Sequence, residues 1–343
     1  MKIDAILGNA PLSEIPEITR VSEALAFDGF WSQETDHDPF LPLALAAEHS
    51  SRIEMGTSIA VAFSRSPMNL AYTAWDLARQ SQGRFILGLG TQVQAHIERR
   101  FGAQWPSSPV AKLGEMIDAI RSIWDSWQTG SRLNFRGEYF RLGLMTPFFT
   151  PAPLECKPPA IFIAGVNRGM ATLAGIKADG FLVHPYHTLD SITQITLPAI
   201  DQGLRESGRD RQYFQMAFTV FTATSSAEVE EVRKQIAFYA STPNYASVLK
   251  VEGSDQVAAE LSALARRGKW EEMPALITDA FLEKVCVVAE DPKDLATKLL
   301  QRYGNLADRL SIYKTLDLRE DSQFWKTLIA GLIAHRPIND PPV

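Results

Sequence analysis

Short runs of consecutive apolar residues recur along the chain. Between them lie longer segments whose apolar positions come every third or fourth residue. The first kind reads as a strand buried on both faces, the second as a helix packed along one side. Lys2–Leu7 is such a strand. Glu14–Phe27 follows with Ile15, Ile18, Val21, Ala24 and Leu25 at helical spacing, before Asp28-Gly29 ends it. Strand-like runs begin again near residues 29, 53, 84, 160, 180, 215 and 308, most of them closing on polar or glycine-bearing residues. Helices are predicted at Pro42–Ser50, Met68–Arg79, Val110–Trp127, Arg168–Lys177, Ser191–Glu206, Lys293–Arg302 and Ser322–Ala334. Consecutive strand–helix units imply parallel strands with helical crossovers, and eight of them make a TIM (β/α)8 barrel. A doubly wound open sheet is the other α/β architecture such alternation allows, but no Gly-x-Gly-x-x-Gly follows the first strand.

The whole chain, 1–343, therefore reads as one barrel domain with helical and loop insertions at its C-terminal face. One insertion lies near 128–158, where Asn134–Leu142 looks like a hairpin turning at Arg136-Gly137 and Pro147–Pro159 is irregular. The other lies near 227–280, mostly helical and too long for one crossover. The stretch Ser81–Thr91 anchors this layout. Gly83 suits the left-handed cap after a helix, and Phe85, Ile86, Leu87 and Leu89 form a buried strand. Gly88 and Gly90 remove side chains near its end, which lets another backbone or a flat ligand approach. Ser66 and Pro67 read as the N-cap and first turn of the helix before it.

Composition narrows the function classes. The 343 residues are 45% hydrophobic and 22% charged, which supports a large core, and the net charge of -6 shows no basic stripe for nucleic acid. No apolar run approaches the ~18 residues of a membrane span, and MKIDAIL reads as a first strand rather than a leader. Cys156 and Cys286 lie far apart, without metal or redox spacing. A protein of the cytoplasm acting on a small molecule, with neither membrane nor nucleic acid as partner, is expected.

Candidate chemistry gathers at the strand ends. Thr35-Asp36-His37-Asp38 after the second strand is the densest polar cluster of the first half, serving either chemistry or a helix start capped by Asp36 or Asp38. Thr91 is the polar residue after the fourth strand. Ala164, Gly165, Val166 and Asn167 follow the fifth, where exposed N–H groups before a helix fit a phosphate, or simply form a tight turn. His184 and His187 end the sixth strand; without a carboxylate or cysteine beside them, a substrate or phosphate contact is favoured over a metal. Trp105, Phe148, Phe149 and Tyr186 are candidates to wall an apolar pocket.

Four stretches together resemble the bacterial luciferase-like monooxygenase superfamily, and most of all its deazaflavin branch, the oxidoreductases using coenzyme F420. They are Gly29-Phe30-Trp31 through Asp36-His37; Met55–Ala60 with Arg65-Ser66-Pro67; Leu77 through Gly83-Arg84-Phe85 to Gly88-Leu89-Gly90-Thr91; and Ile161–Gly165 with Ala178–Phe181. The resemblance implies a cofactor ring across the barrel mouth, supported by a non-proline cis peptide that position matches to Ser58-Ile59. It implies Asp36 as a ring contact, His37 as acid/base beside the substrate, and a homodimer. Sugar-phosphate dehydrogenases of the branch carry a Glu where this chain has Val93, which argues against that substrate. The expected activity is hydride transfer between F420 and a small organic substrate. An FMN-dependent monooxygenase and a non-catalytic flavin-binding protein are the alternatives.

Overall fold

The computed structural model describes residues 1–316 and 322–334. Eight parallel strands close on themselves: β1 (Lys2–Leu7), β2 (Gly29–Ser32), β3 (Glu54–Thr57), β4 (Phe85–Gly90), β5 (Ala160–Gly165), β6 (Gly180–Val183), β7 (Gln215–Ala223) and β8 (Arg309–Thr315). Each pairs with its predecessor, and β8 returns to β1 through Lys2↔Arg309 and Ile3↔Leu310. With helical crossovers outside, this is the (β/α)8 barrel that the alternation predicts. The local punctuation also holds. The Ser66 side chain accepts from the Asn69 amide at 3.1 Å. Gly83, at φ 87°, closes the helix Pro67–Gln80 by donating to the Ala78 carbonyl at 2.8 Å.

Alternation along the strands divides the barrel into two cores. Residues such as Ile3, Phe30, Met55, Leu87, Ile163 and Leu310 face the helices. Trp31, Ile86, Phe162, Leu182 and Ala217 fill the barrel itself, with Ile59 and Ala164 packed above them. Beneath Trp31 the interior is ionic. Arg309, 1% exposed, donates to both Asp4 oxygens at 2.7 and 2.9 Å, and Trp31 Nε1 donates to Asp4 at 2.8 Å. Glu54 pairs with the same guanidinium and with Lys2. A buried charge is tolerated only when paired and hydrogen-bonded, as this one is on every side. Gly29 follows from it: a Cβ there would lie 2.2 Å from Arg309 and from Asp4.

After β4 the helix Pro109–Thr129 leads into a two-stranded ribbon, Phe135–Arg136 with Arg141–Leu142. Its turn spans Gly137–Phe140, one step beyond the Arg136-Gly137 turn expected. The cause lies elsewhere in the chain: the Glu115 carboxylate accepts the amides of Glu138, Tyr139 and Phe140 at 2.6–2.8 Å. The following loop packs on the outside of helix Pro67–Gln80, with Tyr72 donating to Phe149 O and Trp75 to Ala152 O. Phe148 and Phe149 are therefore 90% and 59% exposed on the outer surface and wall no pocket, contrary to expectation. Trp105 packs edge-on against Phe63 at 5.8 Å.

Beyond β7 come the helices Ser226–Ala240, Ala246–Val251, Asp255–Arg266 and Asp279–Val285, which build a second apolar cluster above the barrel with Phe221 and Tyr186. A three-residue strand, Cys286–Val288, then pairs with Phe221–Ala223. The sequence pattern does not reveal it, because three apolar residues between two helices have no period of their own.

Candidate functional site

The mouth is organised by an irregularity in β3. Its ladder to β4 runs through Gly56↔Ile86, breaks, and resumes at Ala60↔Leu89. Thr57, Ser58 and Ile59 thus oppose only Leu87 and Gly88, which makes a bulge. The Ser58-Ile59 peptide is cis. Across the bulge the fully buried Thr57 hydroxyl replaces the missing ladder, donating to Gly88 O at 2.6 Å and accepting from Gly88 N at 2.9 Å. The strands approach so closely that a Cβ on Gly88 would sit 1.7 Å from Thr57 O. A Cβ on Gly90 would meet the Ile59 side chain at 2.8 Å. Both glycines thus serve the approach of the third strand, which presents Ile59 at the top of the interior cluster beside Ala164.

The end of β2 is tied to this bulge. Ser58 N donates to Ser32 O at 2.7 Å and Glu34 N to Ile59 O at 3.2 Å. The Glu34 carboxylate, 6% exposed, accepts from Val61 N and from Arg65, both at 2.6 Å. Arg65 reaches Asp38 at 3.3 Å, and Asp38 accepts from Phe40 N at 2.8 Å and Leu41 N at 3.2 Å in the turn before the helix Leu41–Glu48. Asp38, not Asp36, therefore holds the turn into this helix, whose N-cap position, Phe40, has no side-chain bond, and Asp36 is left for other contacts. It accepts from Asn9 at 2.9 Å and Thr35 at 3.0 Å, and lies 3.3 Å from His37 Nδ1. The His37 contact is the main influence holding the Asp36 carboxyl below its usual range. With Nδ1 turned to the carboxylate, His37 Nε2 is buried without a partner.

The neighbouring strand ends complete an arc. Thr91, after β4, donates to Gln92 O at 3.1 Å. At the end of β5 the Asn167 side chain caps the helix Arg168–Lys177, accepting from Met170 N at 3.0 Å. A Cβ on Gly165 would meet Met170 at 2.3 Å, so this glycine lets the helix start close to the strand. His96 is exposed on its helix. After β6, His187 is buried, with Nδ1 on His184 O at 2.8 Å and Nε2 on Tyr303 at 3.1 Å. His184 accepts from Tyr186 N at 3.1 Å. Burial pushes His184 down to about 3, with His187 adding to it, and burial likewise pushes His187 down to about 4. Among the described residues no three His, Cys, Asp or Glu side chains cluster as a metal site.

Asp36, His37, Ser58, Ile59, Thr91 and Ala164–Asn167 thus sit at the C-terminal ends of four adjacent strands, β2 to β5. The side chains of Thr91 and Asn167 are occupied by local bonds, so these positions offer mainly backbone. Sequence reading missed Glu34 and Thr57, which fasten the bulge. Their only signal is a polar residue at the end of an apolar strand.

The profile of luciferase-like monooxygenases matches residues 2–309. An uncharacterized protein of Mycobacterium tuberculosis is 43% identical over 317 residues, covering 90% of this chain and 92% of that one. A putative coenzyme F420-dependent oxidoreductase of the same organism is 27% identical over 304 residues, covering 82% and 86%. The solved F420-dependent tetrahydromethanopterin reductase of Methanopyrus kandleri superposes with a TM-score of 0.77, covering 97% of this chain and 99% of that one at 18% identity.

Proposed function

The chain belongs to the luciferase-like monooxygenase family, and on that premise we propose that it is an F420-dependent oxidoreductase moving a hydride to or from a small organic substrate, with His37 as acid/base. The observation that carries the reading is the His37 ring, whose Nε2 is unpartnered at the mouth while Nδ1 faces Asp36. The relative named for F420 supports the cofactor class. The residues fit a flat ring. Ile59 and Ala164 offer a small apolar floor, Asp36 a carboxylate at its edge, and the amides of Val166 and Asn167 open a helix toward an anionic tail.

When bound, the deazaflavin supplies two-electron hydride chemistry. Asp36 holds His37 in the tautomer with its proton on Nδ1. Nε2 then takes the hydroxyl proton of an alcohol as its C–H bond gives up the hydride, or returns that proton to a carbonyl in the reverse direction. Glu34 keeps the His37 loop and the Ile59 bulge in one frame, because it binds both.

Parallel fluorescence titrations with F420 and FMN test the cofactor, with micromolar binding of F420 alone expected; preference for FMN would turn the reading to a monooxygenase. The variant His37→Ala should lower turnover by about a hundredfold or more, as loss of a general acid–base does, with cofactor affinity unchanged. Equal stopped-flow rates for variant and parent would remove His37 from the chemistry.

A further inference from the structure

The end of β1 reaches the loop that carries Asp36 and His37. On its other side β8 is bulged: Asp4 pairs with Ser311 and Ile6 with Thr315, so two steps along β1 match four along β8. The bulge sets Thr315 against Gly8, where a Cβ would lie 2.3 Å from the threonine side chain. β1 stays paired with β2 as far as Leu7↔Ser32, so Asn9 comes level with the Thr35–His37 loop.

The Asp36 carboxylate is held by both oxygens. Oδ1 accepts from the Thr35 hydroxyl at 3.0 Å and faces His37 Nδ1 at 3.3 Å. Oδ2 accepts from Asn9 Nδ2 at 2.9 Å, and among the described residues no other side chain bonds it. The sense of that bond is fixed, because a carboxylate cannot donate and the Asn9 amide must present its nitrogen. Thr35 has one hydroxyl proton, which goes to the charged oxygen rather than to Asn9 Oδ1 at 3.3 Å. With the Asp36 side chain 61% exposed, packing does not orient the carboxylate; these bonds do.

Neither Asn9 nor Thr35 carries a charge. The cations that touch this loop are engaged elsewhere, Arg65 with Glu34 and Asp38, and Arg100 with the Thr35 carbonyl. The carboxylate is thus oriented without being neutralised, and its charge stays available to the His37 ring. A lysine or arginine at position 9 would also fix it, but would compete for that charge.

We infer that Asn9 is a positioning residue for the acid/base pair: by fixing Asp36 Oδ2 it turns Oδ1 to His37 Nδ1, which keeps the ring proton there and leaves Nε2 as the acceptor. This rests on His37 being the acid/base of the site and adds the neutral group that aims its partner.

Nitrogen NMR of the imidazole rings reads the tautomer directly, with His37 identified by the signals lost in His37→Gln. In mildly alkaline buffer the parent should carry the His37 proton on Nδ1. Asn9→Leu keeps the size and loses the N–H. It should lower the ratio of the Nδ1–H to the Nε2–H form by about two- to tenfold, the range of one hydrogen bond. Asn9→Gln, which keeps an amide donor, should recover part of the ratio. Unchanged melting temperatures check that both variants fold. An unmoved ratio in Asn9→Leu, or a parent with its proton on Nε2, overturns the inference. A shifted ratio beside an undiminished stopped-flow rate in His37→Ala would keep Asn9 as the orienter of Asp36 and overturn the acid/base reading alone.

Discussion

Replacing Thr57 with Val preserves the side chain's shape and removes only its hydroxyl. That hydroxyl is fully buried and is the partner of both Gly88 N (2.9 Å) and Gly88 O (2.6 Å). In a parallel strand the N–H and C=O of one residue face the same neighbour, so in Thr57→Val both Gly88 groups face the bulge without a partner. A buried polar group left unsatisfied costs about 1–3 kcal/mol, so the pair costs roughly 2–6 kcal/mol. With an unfolding entropy of about 2.1 cal/mol/K per residue, a chain of 343 residues loses roughly 1.4 °C per kcal/mol. The midpoint of Thr57→Val should therefore fall by roughly 3–8 °C in calorimetry. Thr57→Ser keeps the hydroxyl and loses one buried methyl, about 1 kcal/mol or 1–2 °C. The order parent, Ser, Val is the decisive feature. If Val matched the parent, or proved more stable than Ser, the hydroxyl would not be holding the third strand to the fourth.

Two further outcomes follow from the ionic groups. Glu34→Leu should lower both stability and cofactor affinity, by about 1–3 kcal/mol in stability after allowing for the partial exposure of Arg65. Glu34→Gln, which still accepts from Val61 N, should lose less; equal losses in urea titrations would refute the clamp. Stability should also fall between pH 7 and pH 4. His184 and His187 are depressed to about 3 and 4, so the unfolded chain binds protons first as pH drops below 6.5. Burial pushes the Glu54 carboxyl up, but Arg309 and Lys2 outweigh it and hold it below 4.5, so its contribution is lost last, in stronger acid. Urea midpoints measured across this range should slope downward toward acid, and His187→Gln should flatten the slope; a parent with no slope would contradict the buried neutral imidazoles.

What the sequence determined by itself was the barrel and its order. Every barrel strand is a short apolar run, and most crossovers, though not the almost wholly apolar Leu41–Glu48 or the 227–280 segment, have a readable period, because burial on two faces or one leaves its mark residue by residue. The same holds for the caps at Ser66 and Gly83, where one residue's chemistry sets the local backbone. The candidate residues of β2 to β5 were placed at one rim by strand order alone. Tertiary structure decided which of their atoms are free. Asp38, not Asp36, binds the amides that lead into the helix, and Arg65, itself held by Glu34, pairs with it there. Asn167 is spent on its helix, and Phe148 and Phe149 lie outside because their loop packs along helix Pro67–Gln80. The turn of the ribbon shifted for a carboxylate on another helix, at Glu115. His37 and His184 bond to partners one or two residues away, yet only the barrel brings the ends of β2 and β6 to one mouth. Hydrogen-bond allocation among distant residues leaves no period in a sequence, and it is what separates a rim of polar residues from a site.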